Sequence, residues 1–120
     1  MTAADLDRLT SRIRQACVDA EIARHLARAG AAATEAAGDV QSRLREHVEL
    51  LLDPARAYLD LLGDDRHRDV AVADLRRAGH VLTAPVRNPA AHLLLLASSA
   101  ESLARYSRVT IRRAEAAARR

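Results

Sequence analysis

Apolar and polar positions alternate along the chain with the three-to-four-residue spacing that marks one buried face of an α-helix. The first such segment begins near Thr2, where TAAD is typical of a capping threonine followed by an acid at the third helical position. Gly30 is a typical helix stop. The apolar face between them consists of Leu6, Leu9, Ile13, Ala16, Ala20, Ala23 and Ala27.

The second segment contains the stretch LREHVELLLDPARAYLDLL. In the preceding AAATEAAGD the alanines favour helix, whereas Gly38 and Asp39 are typical of a break and a new cap. Pro54 has no amide hydrogen and clashes with the preceding turn, so we expect a kink or a restart there, with Asp53 capping the second part. One face of this helix carries Val40, Leu44, His47, Leu51 and Tyr58.

Two further segments complete the pattern. A third helix is predicted from about residue 65 to residue 78, ending at Gly79. Asn88-Pro89, a capping residue followed by proline at the first helical position, begins the last helix. At 1.5 Å per residue this helix reaches roughly 45 Å, and its tail is expected to project or to pair with another chain. The 120 residues are therefore predicted to form one all-α domain, a bundle of four main helices with a long C-terminal helix.

The amino-acid composition limits how the core of this bundle can be built and where in the cell the protein is expected. The chain has no Phe or Trp and a single cysteine, Cys17, so its core must be built from Ala, Leu and Val, and an internal disulfide is excluded. No apolar run approaches the roughly 20 residues of a membrane span, and the acidic start MTAADLDRL is unlike a signal peptide. We therefore expect a cytoplasmic protein that does not enter a membrane.

The basic residues do not predict nucleic-acid binding. All 19 are arginine, and the formal net charge is only +3. No aromatic residues are interleaved with the basic positions of the last helix, and no helix-turn-helix signature precedes them. A solvated face is the favoured interpretation of the stripe formed by Arg105, Arg108, Arg112 and Arg119.

The candidate chemistry centres on His47 and His92, each on the apolar face of a predicted helix. If the second and last helices pack together, both imidazoles could line one cavity and act as acid and base, because histidine titrates near neutral pH. Tyr58 and Tyr106 would be hydrogen-bond donors in that cavity, and the remaining ligand-contacting candidates are Leu51, Leu96 and Ser99. The alternative is that each histidine is a core residue with an ordinary hydrogen-bond partner.

No metal or cofactor is predicted. The EHVE stretch places Glu46 and Glu49 on one face but turns His47 about 100° away, and no Glu-x-x-His unit exists for a carboxylate-bridged metal pair. His25, His67 and His80 lie in polar surroundings and are expected to be solvated.

Three stretches, LREHVELLLDPARAYLD, DVAVADLRRAG and NPAAHLLLLASSAESLARY, resemble a group of small actinobacterial helical proteins of unknown function. Some of those proteins are described as natural-product biosynthesis proteins. The resemblance covers about residues 40–107, and the shared features are the segment from His47 to Pro54 and His92 at the start of the last helix. It implies a role in specialised metabolism without naming a reaction.

Two hypotheses follow. The first is a cofactor-independent enzyme or ligand-binding accessory protein of specialised metabolism, with a small-molecule substrate or ligand in a histidine-lined pocket between helices. The second is a non-catalytic interaction or regulatory adaptor module that forms a homodimer through its helix surfaces. The long last helix and the Ala/Leu-rich surface motivate the second.

Overall fold

The amphipathic segments form four helices in the computed structural model, which describes residues 1–120. No strand is present, so the prediction of an all-α bundle with a long last helix is confirmed. The helices are α1 (Ala3–Arg28), α2 (Glu35–Leu59), α3 (Arg66–Thr83) and α4 (Pro89–Ala118).

The predicted caps of the first and last helices are present. The Thr2 hydroxyl accepts a hydrogen bond from the Asp5 amide (3.1 Å), and the Asp5 carboxylate accepts one from the Thr2 amide (2.9 Å). At the start of α4, the Asn88 side-chain oxygen accepts from the Ala91 amide (3.0 Å), with Pro89 at the first helical position.

The expected helix stop at Gly79 was wrong, and of the two alternatives for the stretch around Gly38 the structure has the helix. Helix α2 begins earlier, because Thr34 is extended and its hydroxyl caps the Ala37 amide, so Gly38 continues the helix and bonds back to the Thr34 carbonyl. Helix α3 runs past Gly79 to Thr83, since the last turn buries Val81 in the core. The Thr34 cap before Gly38 and the burial of Val81 beyond Gly79 outweigh the weak helix propensity of glycine.

Pro54 does not divide α2, which is one continuous helix from Glu35 to Leu59. The expected restart and the capping role of Asp53 were therefore wrong; the exposed Asp53 carboxylate instead accepts from Arg56 one turn later (3.3 Å). The Pro54 carbonyl accepts a hydrogen bond from the Thr110 hydroxyl of α4 (2.7 Å), which ties this part of α2 to its neighbour.

Helices α2 and α4 form the inner pair of the bundle. Each contacts all other helices, whereas α1 and α3 lie on opposite sides and do not contact each other. Alanines of α1 and leucines of the inner pair dominate the core, as the lack of large aromatic residues requires. The tail of α4 lies beside the start of α1, because Glu115 and Ala118 share a surface groove with Leu6.

None of the four helices combines the length and the apolar character needed to cross a lipid bilayer.

Candidate functional site

His47 lies at the interface between α1 and α2, where it is 2% exposed. Its Nε2 is 2.7 Å from Oδ2 of Asp19, and its Nδ1 is 3.3 Å from Nη1 of Arg12. Asp19 is completely buried. Both nitrogens of the imidazole therefore already have partners, and both partners belong to α1.

The hydrogen-bond pattern fixes the tautomer of His47. A guanidinium group has only donors, so Nδ1 must accept from Arg12. The ring proton then lies on Nε2 and is donated to the Asp19 carboxylate. In this arrangement the imidazole is neutral, and a substrate would have to displace Arg12 or Asp19 to reach a ring nitrogen.

Asp19, the buried partner of His47, was not predicted from the sequence. Its Oδ1 also accepts from Arg43 of α2 (3.2 Å) and from Gln15 one turn earlier (3.3 Å). The position of Asp19 between Ala16 and Ala20 on the apolar face was the available signal, because a buried carboxylate requires partners from the adjoining helix. The result is a polar network that joins α1 to α2.

Tyr58 and Tyr106 come together, but away from both histidines. Their rings stack with centroids 4.9 Å apart and an angle of 8° between planes. The Tyr106 hydroxyl donates to the Asp74 carboxylate of α3. Burial, and then this hydrogen bond, raise the pKa of Tyr106 above its ordinary value. The pair thus pins α2, α3 and α4 together.

The remaining predicted contact residues lie in the core. Leu51 and Leu96 are fully buried. Ser99 is also buried, and its Oγ has no hydrogen-bond partner, but it lies two helical turns beyond His92. The predicted site residues are therefore divided among the α1–α2 interface, the tyrosine stack and the start of α4. The pocket that His92 lines does not include His47.

His92 does line a pocket of its own, which we call the corner pocket, where the end of α3 meets the start of α4. It has a volume of about 270 Å³. Among its lining residues only Val81 and His92 are buried, so they form its floor. Its exposed rim carries Arg77, His80 and Arg87, and no carboxylate lines it. The predicted solvation of His80 fits its exposure, but its place on this rim was not foreseen.

The imidazole of His92 is buried without a hydrogen-bond partner at Nε2. The side chain is 5% exposed. Burial, and then the positive charge of Arg45 on α2, lower the pKa of His92 below its ordinary value of 6.5. Arg45 itself is held near the end of α3 by donating to the Leu82 carbonyl (2.6 Å). The floor of the corner pocket is therefore a neutral imidazole at pH 7 with unused hydrogen-bonding capacity.

A larger, shallow groove of about 680 Å³ lies beside Pro54, between the start of α1 and the C-terminal part of α2. Leu50 and Leu9 supply its apolar surface, and Arg12 lines it. It contains no buried polar atom without a partner. The groove therefore offers space but no unmet hydrogen bond.

No group of three or more His, Cys, Asp or Glu side chains comes together in an arrangement that could hold a metal ion. No protein-family model matches the chain, and neither a curated protein nor a solved structure does. Function must therefore be inferred from the geometry of the sites.

Proposed function

We propose that this protein binds a small organic ligand in the corner pocket, with His92 as the group that recognises it. The observation that carries the proposal is the buried imidazole of His92, which lines the corner pocket and whose Nε2 has no hydrogen-bond partner. Buried polar atoms in folded proteins are almost always hydrogen-bonded, so a pocket-lining imidazole with an unpartnered nitrogen is a natural group for recognising a ligand.

The surroundings of His92 favour binding over catalysis. Acid–base catalysis requires a second group held in a fixed position against the first, or a partner that orients it. The lining residues of the corner pocket include no carboxylate, and the other ionisable groups there are on the exposed rim. Ligand binding requires only a pocket and a group that can hydrogen-bond the ligand, and the corner pocket with His92 supplies both.

The connection to specialised metabolism stays a prediction that the resemblance of residues 40–107 supports. In that setting the ligand would be a biosynthetic intermediate or product, and the protein would sequester or deliver it.

The proposal can be tested with wild type and the variant His92→Phe in a fragment screen by thermal shift. Phenylalanine keeps the ring shape and removes the open nitrogen, so the variant should fold at least as well as wild type. We expect fragments that stabilise wild type and lose most of that effect in the variant. A screen without hits, or hits that stabilise both proteins equally, would contradict the proposal.

The alternative function is a homodimeric interaction module, and one observation favours it. Leu94 and Val86 are 40% and 47% exposed near the start of α4, leaving apolar surface close to the corner pocket. Light scattering tests this alternative: a mass near 13.1 kDa at all concentrations would exclude the homodimer. A dimer that the substitution Leu94→Glu dissociates supports the alternative.

A further inference from the structure

The rim of the corner pocket is strongly one-sided in charge. Arg77, His80 and Arg87 line it, and Arg45 lies behind its floor. Arg77 is already paired with Asp74 of its own helix (3.0 Å). Arg87 is exposed and takes part in none of the ion pairs of the chain, so its charge is available to a ligand.

The start of α4 adds to this positive field. The first turn of a helix carries a partial positive charge, which a nearby acid normally offsets. Such an acid is present in the first turn of each other helix, as Asp5, Glu35 and Asp69. The first turn of α4 has none. The start of α4 is thus left without an anionic partner. It lies next to His92, whose Nε2 has no hydrogen-bond partner.

The walls of the pocket are apolar. They are formed by Ala84 and Pro85 of the connection between α3 and α4, and by Ala91 and Leu95 of α4. A purely inorganic anion would leave this surface unused. An aliphatic or alicyclic body would cover it and remove it from water, which favours binding.

We propose that the ligand of the corner pocket is an organic monoanion, with a carboxylate held by Arg87, His92 and the start of α4 and an apolar body against Ala84, Pro85 and Leu95. This inference deepens the proposed function and depends on it, because it names the ligand class of the same pocket. The hydrogen bond from His92 and the ion pair with Arg87 are both charge-assisted, the stronger class of polar contact.

Binding of such an anion is coupled to protonation of His92. The groups that face His92 are cationic or neutral bases from every neighbouring element: Arg45 of α2, Arg77 and His80 of α3, and Arg87 of the connection. In the free protein, burial and then the charge of Arg45 oppose protonation of His92 and lower its pKa. A bound carboxylate reverses the local charge and raises the pKa of His92, so the complex takes up a proton and affinity increases as the pH falls.

The test compares hexanoate with hexanamide, a neutral probe of nearly the same shape, by calorimetric titration of the full chain. We expect hexanoate to bind about tenfold more tightly, since one charge-assisted contact is worth about 1.4 kcal/mol or more. The preference for hexanoate should grow between about pH 7.5 and about pH 6. The variant His80→Gln should retain that pH dependence, and His92→Phe should lose it.

The matched pair Arg87→Gln and Arg76→Gln provides the control, because Arg76 is an exposed arginine of α3 that does not line the pocket. We expect the first to weaken hexanoate binding about tenfold while leaving hexanamide unchanged, and the second to change neither. Equal affinities for the two probes, or an Arg87→Gln variant that binds hexanoate like wild type, would overturn the inference. If neutral fragments bind and hexanoate does not, only the anion inference fails; if no fragment of any charge binds, the proposed function fails with it.

Discussion

At the scale of single residues, the two histidines of the inner helices are in opposite situations. His47 is buried with a partner on each nitrogen, and His92 is buried with its Nε2 unused. A satisfied imidazole stabilises the fold, whereas an unsatisfied one costs free energy that a ligand can recover. We therefore assign His47 to the architecture and propose His92 for recognition.

Removal of Asp19 tests the architectural role of its network. The variant Asp19→Ala leaves the buried His47 Nε2 hydrogen without an acceptor and Arg43 without its ion-pair partner. We expect a loss of about 3 kcal/mol in the free energy of unfolding, measured by urea denaturation. Asp39→Asn, an exposed acid of α2 without a partner, is the matched control and should change stability by less than about 0.5 kcal/mol. Equal effects of the two substitutions would show that the network contributes nothing.

The pH dependence of stability tests the environment of His92. Because its pKa is lower in the folded state than in the unfolded chain, the unfolded chain takes up the proton first as the pH falls. Stability is therefore lost below about pH 6.5, until the folded-state pKa is reached. His92→Phe lacks this loss, so its Tm should rise relative to wild type between about pH 7 and about pH 5. Tm curves that stay parallel across that range would refute the assignment.

At the scale of helices, the sequence predicted a helix boundary well where a capping side chain determines it. The prediction was less accurate where packing against other helices determines the boundary. The caps at Thr2 and Asn88 were readable because each satisfies backbone amides within one turn. The continuation of α2 through Gly38 and of α3 through Gly79 was not readable. In α3 it depends on Val81, which is buried in the core. In α2 it depends on the cap at Thr34, whereas Gly38 and Asp39 were typical of a later start.

Substitution of these glycines tests that explanation. A Cβ added at Gly38 or Gly79 meets nothing within 4 Å, so Gly38→Ala and Gly79→Ala should each raise the free energy of unfolding by about 0.5–1 kcal/mol. Gly30 has a φ of +71°, a conformation that alanine adopts only with strain. Gly30→Ala should therefore lower stability by about 1 kcal/mol. In chemical denaturation, the change in the free energy of unfolding should therefore be positive for Gly38→Ala and Gly79→Ala and negative for Gly30→Ala. Changes of the same sign for Gly79→Ala and Gly30→Ala would contradict the assigned helix ends.

At the scale of the whole molecule, the apolar patterns identified which faces are buried but not which helix each face meets. The face of α2 that carries His47 was expected to meet α4 and His92. The imidazole instead reaches Asp19 and Arg12 of α1, because α2 is an inner helix with neighbours on several sides. Pairing between helices depends on the complete three-dimensional arrangement, which a periodicity within one helix does not contain.

The inner and outer helices should differ in their local stability. Amides on the buried faces of α2 and α4 should exchange hydrogen slowest, since these helices open only when the whole bundle unfolds. Helix α3 contacts only α2 and α4. Its amides should therefore exchange faster, through local opening. Native-state hydrogen exchange followed by NMR measures this order. Protection of α3 equal to that of α4 would indicate a single cooperative unit instead.

The most direct test of ligand recognition at the corner pocket is the Cε1–H NMR resonance of His92, followed while the fragment mixture of the screen is added. The chain has five histidines, so His25 and His67, which are exposed and line no part of the pocket, serve as internal controls in the same spectrum. We expect the His92 resonance to move in a saturable way while those of His25 and His67 stay in place. A His92 resonance that does not move under conditions in which fragments bind elsewhere on the protein would contradict the central claim.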